Sequence, residues 1–290
     1  MVSKHADLEG PVHYLDSGGS GPPLVCVHGL SGSALNWMAV APALAQSHRV
    51  LALDLRGFGR TPLGSGTRLR DNYHLLDRFL RDVVGEPAIV VGNSMGGLLA
   101  VLQAAAAPVT VSRLVLVDPA LPWRGRRPFD LSLWTFFGTL LPPLIGEAIL
   151  ASSGRHLGAE RVVLGVLQAC CVDASRVPAD LVRELVEQER ERIVWPRSYR
   201  ALAQASRSLL WALGRRGLMH TYSRVAAPTL VLHGEKDRLV PAAFSLAIGR
   251  QFGWHVEVLP DSGHVPMMEV PGDFLRVALG WLDSHEPAAA

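Results

Sequence analysis

The chain has 290 residues, of which 49% are hydrophobic and 19% are charged, and its formal net charge is +2 at pH 7. This length suits a single α/β core with an inserted subdomain, and the apolar content excludes a disordered chain. Arginines alternate with acidic residues, as in LVRELVEQERERIVW, so the chain has no basic stripe and we expect no nucleic-acid partner.

Six apolar runs rich in valine and leucine predict the strands of a mostly parallel sheet. They lack the polar and apolar alternation of a strand with one exposed face, so both faces of the sheet are expected to be covered. Segments with helical spacing lie between them, as is typical of a sheet with helices on both sides. The runs are PLVCVHG (23–29), RVLALDL (49–55), AIVVGNS (88–94), RLVLVD (113–118), PTLVLHG (228–234) and HVEVLP (255–260).

Helical spacing marks five segments between or beside these strands, and a longer helical region interrupts the alternation of strands and helices. The alternation stops after residue 118 and resumes at residue 228, and no convincing strand lies between these positions. We therefore predict a helical cap over 121–222, inserted into a core formed by 1–120 and 223–290. The five core helices are predicted at 34–46, 72–84, 95–107, 242–252 and 272–285, and the clearest cap helices at 178–194 and 198–213.

The segment VVGNSMGG (90–97) places Ser94 between Gly92 and Gly96, where a predicted strand turns into a predicted helix. G-x-S-x-G in that context is the pattern of a nucleophile elbow, in which the glycines leave room for a sharp reversal of the chain. The first helix amides, beginning with Met95, then face the reacting centre and can stabilise an oxyanion. In the alternative interpretation, the Ser94 hydroxyl only caps the helix.

A serine nucleophile requires a base and an acid, and the candidates lie in loops after the last two predicted strands. Asp237 lies in HGEKDRLVP and His264 in SGHVPMMEVP, so the chain order is Ser94, Asp237, His264. We expect His264 to accept the proton of Ser94, and Asp237 to hold the imidazole in the required tautomer. Asp118, which ends the fourth apolar run, is the alternative acid.

The loop VCVHGLSGSALNW (25–37) offers a second oxyanion donor, for which the backbone amide of Leu30 is our candidate. His28 and His233 each end a strand, and we interpret them as residues that shape loops.

The sequence predicts neither a cofactor nor a metal. DLRGFGRT (54–61) contains G-x-G without the glycine spacing of dinucleotide binding, and the histidines, cysteines and carboxylates lack the spacing of metal ligands. The aromatic residues of the cap either form its own core or line an acyl or aryl pocket. Our candidate substrate contacts among them are Trp123, Trp134 and Phe137.

Cysteine usage and the chain's start predict a cytoplasmic protein. Cys26, Cys170 and Cys171 form neither a disulfide framework nor a CxxC motif, and they are interpreted as packing residues. MVSKHADLEG lacks the apolar region of a secretory signal. The apolar stretch 131–146 is short for a membrane span and is interrupted by two prolines, so we expect no stable membrane insertion, although contact with a lipid surface stays open.

Five segments together resemble the α/β-hydrolase superfamily: HGLSGSALNW, LDLRGFGRT, GNSMGG, HGEKDRLVP and SGHVPMMEVP, in the order that superfamily shows. The resemblance covers about residues 11–283. It implies the α/β-hydrolase fold, with a mostly parallel central sheet, helices on both faces and a helical cap inserted after the sixth strand. Ser94 argues against haloalkane dehalogenases and epoxide hydrolases, which carry aspartate at the elbow.

Two differences from the carbon–carbon bond hydrolases of the superfamily help to choose between its branches. GNSMGG resembles carbon–carbon bond hydrolases of ring-cleavage products, but the loop after His28 lacks their longer glycine-rich pattern, and Val265 stands where they usually have tryptophan. The resemblance therefore implies first a carboxylesterase-like or lipase-like serine hydrolase that cleaves an ester of a moderately apolar acid through an acyl-enzyme. A carbon–carbon bond hydrolase, an acyl transferase or perhydrolase, and a receptor-like ligand-binding protein stay open as alternatives.

Overall fold

The computed structural model describes residues 1–122, 145–194 and 198–285, and a sheet of eight strands lies at its centre. Across the sheet the order is β1-β2-β4-β3-β5-β6-β7-β8. Each of the six predicted runs overlaps one of the strands β3 to β8, which confirms the prediction of a mostly parallel sheet. The strands are β1 (Val2–Asp7), β2 (Pro11–Gly18), β3 (Pro23–Val27), β4 (Arg49–Leu53), β5 (Ala88–Asn93), β6 (Val111–Val117), β7 (Thr229–Gly234) and β8 (His255–Leu259).

The first two strands are absent from the sequence-based prediction. β1 pairs antiparallel with β2, and β2 pairs antiparallel with β4, whereas the strand pairs from β3 to β8 are parallel. β1 is exposed along almost its whole length, so it contains no apolar run that would identify it. Its place is set by backbone pairing with β2, which a pattern of side chains does not reveal.

Every predicted helical segment overlaps a helix, with one clear difference, and two short helices, Leu218–Tyr222 and Pro266–Glu269, were not predicted. The segment 34–46 forms a 3₁₀ turn at Ala34–Trp37 and then a separate short helix, because Pro42 lacks the N–H that a continuous helix would need. The second helix continues as a π-helical turn at Phe79–Val84. The helices are α1 (Ala41–Leu44), α2 (Leu69–Arg78), α3 (Met95–Ala106), α4 (Ile145–Cys170), α5 (Ala179–Ile193), α6 (Ser198–Leu213), α7 (Leu218–Tyr222), α8 (Ala242–Phe252), α9 (Pro266–Glu269) and α10 (Pro271–Ser284).

Apolar clusters cover both faces of the sheet, as its strand sequences require. Successive residues of β5 belong to opposite clusters: Val90 packs with α2 and α3, whereas Ile89 and Val91 pack with α1 and α10. All three side chains are fully or almost fully buried. Burial of each such valine or isoleucine stabilises the fold by about 1.5–3 kcal/mol relative to exposure.

The described part of the segment between β6 and β7 contains the helices α4 to α7 joined by loops, and no strand. α4 is broken at Gly158, whose φ of 77° no helix residue adopts, and it packs against α5 and α6. α6 in turn contacts α2, so these helices lie over the core. The division of the chain into a core and a cap at 121–222 stays a prediction, and Trp123, Trp134 and Phe137 lie outside the described residues.

Among the described helices, none combines the length and the apolar character needed to cross a membrane. The cytoplasmic location stays a prediction.

Candidate active site

Ser94 lies at the junction of β5 and α3 in a strained backbone conformation. Its φ of 53° and ψ of −115° place a residue with a Cβ in a region that normally only glycine tolerates. Its backbone nitrogen donates to the carbonyl oxygen of Val117 at 3.0 Å, and its own carbonyl oxygen accepts from the amide of Ala120 at 2.9 Å. The hydroxyl makes no capping bond to α3, so the capping interpretation does not explain why this serine is held here.

Two glycines allow the sharp turn at Ser94. A Cβ on Gly92 would overlap the backbone of Gly96, and a Cβ on Gly96 would overlap the carbonyl oxygens of Val27 and His28. The elbow can therefore pack against the end of β3 only because both positions lack side chains. This contact also sets the distance between the elbow and the loop that follows β3.

Asp237 and His264 come together at the carboxyl ends of β7 and β8. His264 Nδ1 is 2.7 Å from Asp237 Oδ2, and both side chains are almost fully buried. Asp237 Oδ1 accepts hydrogen bonds from the backbone amides of Leu239 and Val240 at 2.7 and 3.1 Å. The carboxylate of Asp237 accepts a hydrogen bond from each of these neighbours. The proton of the His264 imidazole therefore lies on Nδ1, and Nε2 is free to act as a base.

The electrostatics of this pair favour an ionised acid. Burial would raise the pKa of Asp237, but the electrostatic interaction and hydrogen bond with His264 and the nearby ring of His233 outweigh it. The pKa of Asp237 is therefore held well below its ordinary value, and the carboxyl group stays ionised far into the acid range.

Ser94 and His264 line the same cavity, between the carboxyl ends of the strands and the inserted helices. Within the described part of the chain, no hydrogen bond joins the Ser94 hydroxyl to the imidazole, which is common in unliganded active sites. The predicted residues Ser94, Asp237 and His264 are thus brought to one end of the sheet. Their roles in catalysis stay a prediction.

Two backbone amides next to Ser94 suit the predicted oxyanion role. Among the described residues, neither the amide of Leu30 nor that of Met95 has a hydrogen-bond acceptor. Leu30 lies on the cavity wall, and Met95 begins α3, where the helix dipole favours negative charge. Unsatisfied amides at this position can hold a developing oxyanion.

His28 and Asp54 hold the loop that contains Leu30. His28 Nδ1 donates to the carbonyl oxygen of Gly29 at 2.7 Å, and its Nε2 accepts from the amide of Leu55 at 3.0 Å, so this imidazole is neutral. Burial lowers the pKa of His28, which agrees with that tautomer. Asp54 Oδ1 accepts from the amide of Ala34 at 2.7 Å, at the other end of the loop.

Asp54 also joins three parts of the chain around the site, a role that the sequence did not predict. Its fully buried Oδ2 accepts from His13 Nδ1 at 2.6 Å and from the amide of Arg60 at 2.9 Å. The carboxylate therefore joins β2, the loop after β4 and the loop that contains Leu30. Nothing in the local pattern DLRGFGRT (54–61) indicates these partners, because they come from distant parts of the chain.

Replacing Asp54 with asparagine is expected to destabilise the fold by about 3 kcal/mol, because an amide N–H₂ would face the donors of His13 and Arg60. The unfolding free energy from urea titration measures this. The same substitution at Asp283, which is exposed, is the control and is expected to change the unfolding free energy by less than about 0.5 kcal/mol. Equal unfolding free energies of the two variants would show that the contribution of Asp54 to stability does not depend on its charge.

Asn93 and Glu269 fasten the loop of His264, and sequence reasoning assigned neither of them a role. Asn93 Nδ2 donates to the carbonyl oxygens of Val117 and His264 at 3.1 and 3.0 Å. Glu269, which is fully buried, accepts from the amides of Asp173 and Gly263 at 2.8 Å each. Both residues lie within the quoted motifs GNSMGG and SGHVPMMEVP, so a buried polar residue inside a motif was the available signal.

The alternative acid, Asp118, is also part of this cluster. One potential ligand atom each of Asp118, Asp237 and His264 lies within 4.8 Å of the others, and all three residues are buried. Asp237 is the carboxylate bonded to His264, whereas Asp118 Oδ1 accepts from the amide of Gly234 at 2.8 Å. The expectation that no metal binds here stays a prediction.

The cavity has a volume of about 660 Å³ and mostly apolar walls. Its polar groups lie near Ser94 and in a separate cluster on the inserted helices, where Arg192 Nη1 is 3.4 Å from Glu189 Oε2. Cys170 also lines the cavity, but burial raises the pKa of the Cys170 thiol to about 12, so it is not a nucleophile at neutral pH. The remaining apolar wall is formed by residues such as Leu157, Val163, Leu202, Leu210, Leu213, Phe244 and Met268.

The model of the alpha/beta hydrolase family matches residues 24–277. Among curated proteins, the chain is 30% identical to the dihydrolipoyllysine-residue acetyltransferase component of the acetoin cleaving system of Cupriavidus necator. The alignment covers 93% of this chain and 66% of that protein, just under two thirds of its length.

Two further relatives are similar over most of both chains. One is the 2-hydroxy-6-oxo-6-(2'-aminophenyl)hexa-2,4-dienoic acid hydrolase of Metapseudomonas resinovorans, 28% identical over 93% of this chain and 86% of that protein. The other is the mouse (Mus musculus) sn-1-specific diacylglycerol lipase ABHD11, 28% identical over 96% of this chain and 88% of that protein.

Proposed function

This chain belongs to the alpha/beta hydrolase family, and on that premise we propose that it is a serine hydrolase that cleaves a carboxylic ester of a moderately apolar acid through an acyl-enzyme. One observation carries this proposal. Ser94 is held at a positive φ at the N-terminus of α3, on the wall of a cavity that it shares with His264, whose Nδ1 is bonded to the buried Asp237. This is the arrangement of a nucleophile, a base and an acid.

In the proposed mechanism, Ser94 Oγ attacks the ester carbonyl carbon while its proton passes to His264 Nε2. The amides of Leu30 and Met95 hold the oxyanion of the tetrahedral intermediate, and Asp237 stabilises the imidazolium. His264 then donates the proton to the departing alcohol, and the carbonyl re-forms as the acyl-Ser94 ester. A water molecule, deprotonated by His264, attacks the acyl-enzyme and releases the acid.

The lining of the cavity favours a substrate with an apolar acyl group. Its walls are mainly Leu, Val, Phe and Met side chains, and its volume of about 660 Å³ accommodates a medium-sized ligand. Similarity to a lipase from mouse agrees with an ester substrate.

Carbon–carbon bond hydrolysis is the main rival, because the relative from M. resinovorans is named for that kind of acid substrate. A dienoic acid brings a carboxylate into the cavity, where a cation would have to receive it. Two arginines of the described chain line the cavity: Glu189 faces Arg192 at 3.4 Å, and Arg161 is an exposed cation on the same wall. The Glu189–Arg192 pair suits an uncharged substrate, whereas Arg161 is the group that would receive the carboxylate of a dienoic acid, so turnover of ring-fission products distinguishes the two reactions.

Acyl transfer is a second rival, and similarity to an acetyltransferase component supports it. It uses the same acyl-enzyme, with a different nucleophile in place of water. The two reactions differ in the fate of the acyl group, so an added alcohol that diverts the acyl group from the free acid distinguishes transfer from hydrolysis.

The test is a series of p-nitrophenyl esters from acetate to decanoate, followed in the burst and in the steady state. We expect a burst of nitrophenol, an optimum at a medium acyl chain, and the mass of one acyl group on the intact protein during turnover. The free acid should be the main product even with added alcohol. Absence of turnover on every ester, with no acyl adduct, would overturn the esterase proposal, and ring-fission products would then be tested.

A further inference from the structure

Asp118 is a second buried carboxyl group beside the proposed triad, and the mechanism above does not use it. It follows β6, is fully buried, and has a φ of 43°, which few residues other than glycine adopt. Its amide donates to the carbonyl oxygen of Leu232 at 2.9 Å, and its Oδ1 accepts from the amide of Gly234 at 2.8 Å. Both contacts fix Asp118 against the end of β7.

The second oxygen of this carboxyl group has no donor. Asp118 Oδ2 is buried and lacks a hydrogen-bond partner within the described part of the chain. A buried carboxylate oxygen without a donor is costly, whereas a carboxylic acid hydroxyl at the same place becomes a donor itself. Asp237, within 4.8 Å, is an acceptor close by.

His233 faces both carboxyl groups. His233 Nε2 donates to the carbonyl oxygen of Val240 at 2.7 Å, and its Nδ1 lies 2.7 Å from the hydroxyl of Ser245, which can donate to it. Both ring nitrogens of His233 thus have partners, and its Nε2 also lies 3.5 Å from Asp118 Oδ1 and Asp237 Oδ2. Burial opposes the shift, but the two carboxyl groups raise the pKa of His233 above its ordinary value, so this imidazole competes with Asp118 for a proton. Two buried carboxylates so close together cannot both ionise without a large cost.

Two more titratable groups face this cluster. The Nδ1–H of His264 is already donated to Asp237, and the thiol of Cys170, on α4, stays protonated at neutral pH. Burial raises the pKa of Asp118 well above its ordinary value; His233 opposes this shift and the charge of Asp237 adds to it. The unpartnered Oδ2 and the direction of this shift both favour a proton on Asp118.

We propose that Asp118 is a neutral carboxylic acid at neutral pH, and that its hydroxyl donates a hydrogen bond to Asp237. Its role in catalysis rests on the proposed function, because Asp237 is the acid of the proposed triad. Asp118 acts through Asp237 and is a positioning residue. It holds the carboxylate in the orientation that receives His264 Nδ1–H.

Two substitutions at Asp118 separate the donor from the charge. Asp118→Asn keeps a donor and an acceptor and tolerates the positive φ, whereas Asp118→Gly tolerates the φ but removes the side chain. On the best p-nitrophenyl ester, we expect kcat of the Asn variant within about threefold of wild type, and a roughly tenfold lower kcat, with little change in KM, for the Gly variant. Loss of activity in the Asn variant as large as in Asp237→Asn would overturn the proposal, as would full activity in the Gly variant.

Stability against pH gives a test that does not depend on catalysis. A carboxyl group whose pKa is raised by folding stabilises the folded state fully only below its unfolded pKa, and that stabilisation is lost as pH rises through the folded pKa. The amide of an asparagine at this position has no such proton to hold, so Asp118→Asn is expected to raise Tm at pH 7, and the gain is expected to disappear as pH falls below about 4. Asp54→Asn is the matched control, because Asp54 accepts from three donors, and it should lower Tm at pH 7.

Infrared difference spectra of wild type minus Asp118→Asn at neutral pH detect the proton directly. We expect the carbonyl band of a protonated carboxyl group, and a carboxylate band in its place would overturn the proposal. Because neither the spectrum nor Tm requires turnover, the proton on Asp118 can be established or overturned even if every ester proves inert. In that event the esterase proposal fails alone.

Discussion

Replacing Ser94 with alanine is expected to lower kcat on the best ester by about 10⁶-fold, which is the size of effect seen when a serine nucleophile is removed. Among the described residues, no other hydroxyl is held at the N-terminus of α3, so the proposed acyl-enzyme would have no site on this variant. The measurements are steady-state turnover and the mass of the intact protein during turnover. The acyl adduct should be absent from Ser94→Ala.

The matched control for that experiment is Ser31→Ala. Ser31 also lines the cavity and also has a positive φ, of 64°, but it lies on the loop after β3 and away from the start of α3. We expect less than a tenfold fall in its kcat. Similar losses in the two variants would mean that Ser94 is only one of several polar groups in the cavity, and would contradict its role as nucleophile.

Replacing Asp237 with asparagine is expected to lower kcat by about 10⁴-fold with little change in KM, because the amide favours the wrong tautomer of the histidine. An Asn amide can accept from the amides of Leu239 and Val240 through its oxygen, but its N–H₂ then faces Nδ1 of His264. The imidazole would turn its unprotonated nitrogen towards the amide and lose the base at Nε2. Steady-state kinetics on the best ester measures the loss.

The stability of Asp237→Asn should vary with pH in the sense opposite to that of Asp118→Asn. Folding lowers the pKa of Asp237, so its contribution to stability is present above its unfolded pKa, near 4, and is lost as pH falls towards the folded value. The variant should therefore have a lower Tm than wild type at pH 7, and the gap should narrow as pH falls below about 4. A gap that is the same at pH 7 and pH 3 would mean that the charge of Asp237 contributes nothing.

The inserted helices provide much of the cavity wall, so they are the part of the chain from which substrate preference follows. α4 to α6 contribute apolar residues such as Val163, Leu202 and Leu210, together with the Glu189–Arg192 pair. The core contributes Ser94, His264 and the loop of Leu30. If the proposed function holds, the core carries the chemistry and the inserted helices set the selectivity, as is common where ligands bind between a sheet and an added layer.

Local patterns in the sequence were sufficient for the parallel strands β3 to β8, most helices, and the positions of Ser94, Asp237 and His264. A buried parallel strand is a continuous apolar run, and a residue that follows such a strand lies at the carboxyl edge of the sheet. The order of the five motifs then identified the family. These inferences succeed because each depends on residues that are neighbours in the chain.

Only the tertiary structure decided which distant residues support the site. Asp54 joins segments around His13, Ala34 and Arg60, Asn93 reaches the carbonyl of His264, and Asp118 lies beside Asp237. The exposed strand β1 likewise depends on pairing with β2. These contacts join residues that are far apart in sequence, and their hydrogen bonds leave no periodic pattern in it. The sequence by itself therefore determined the fold class and the candidate residues. The tertiary structure decided how the edge strands pair and which buried carboxyl groups lie together and hold the loops.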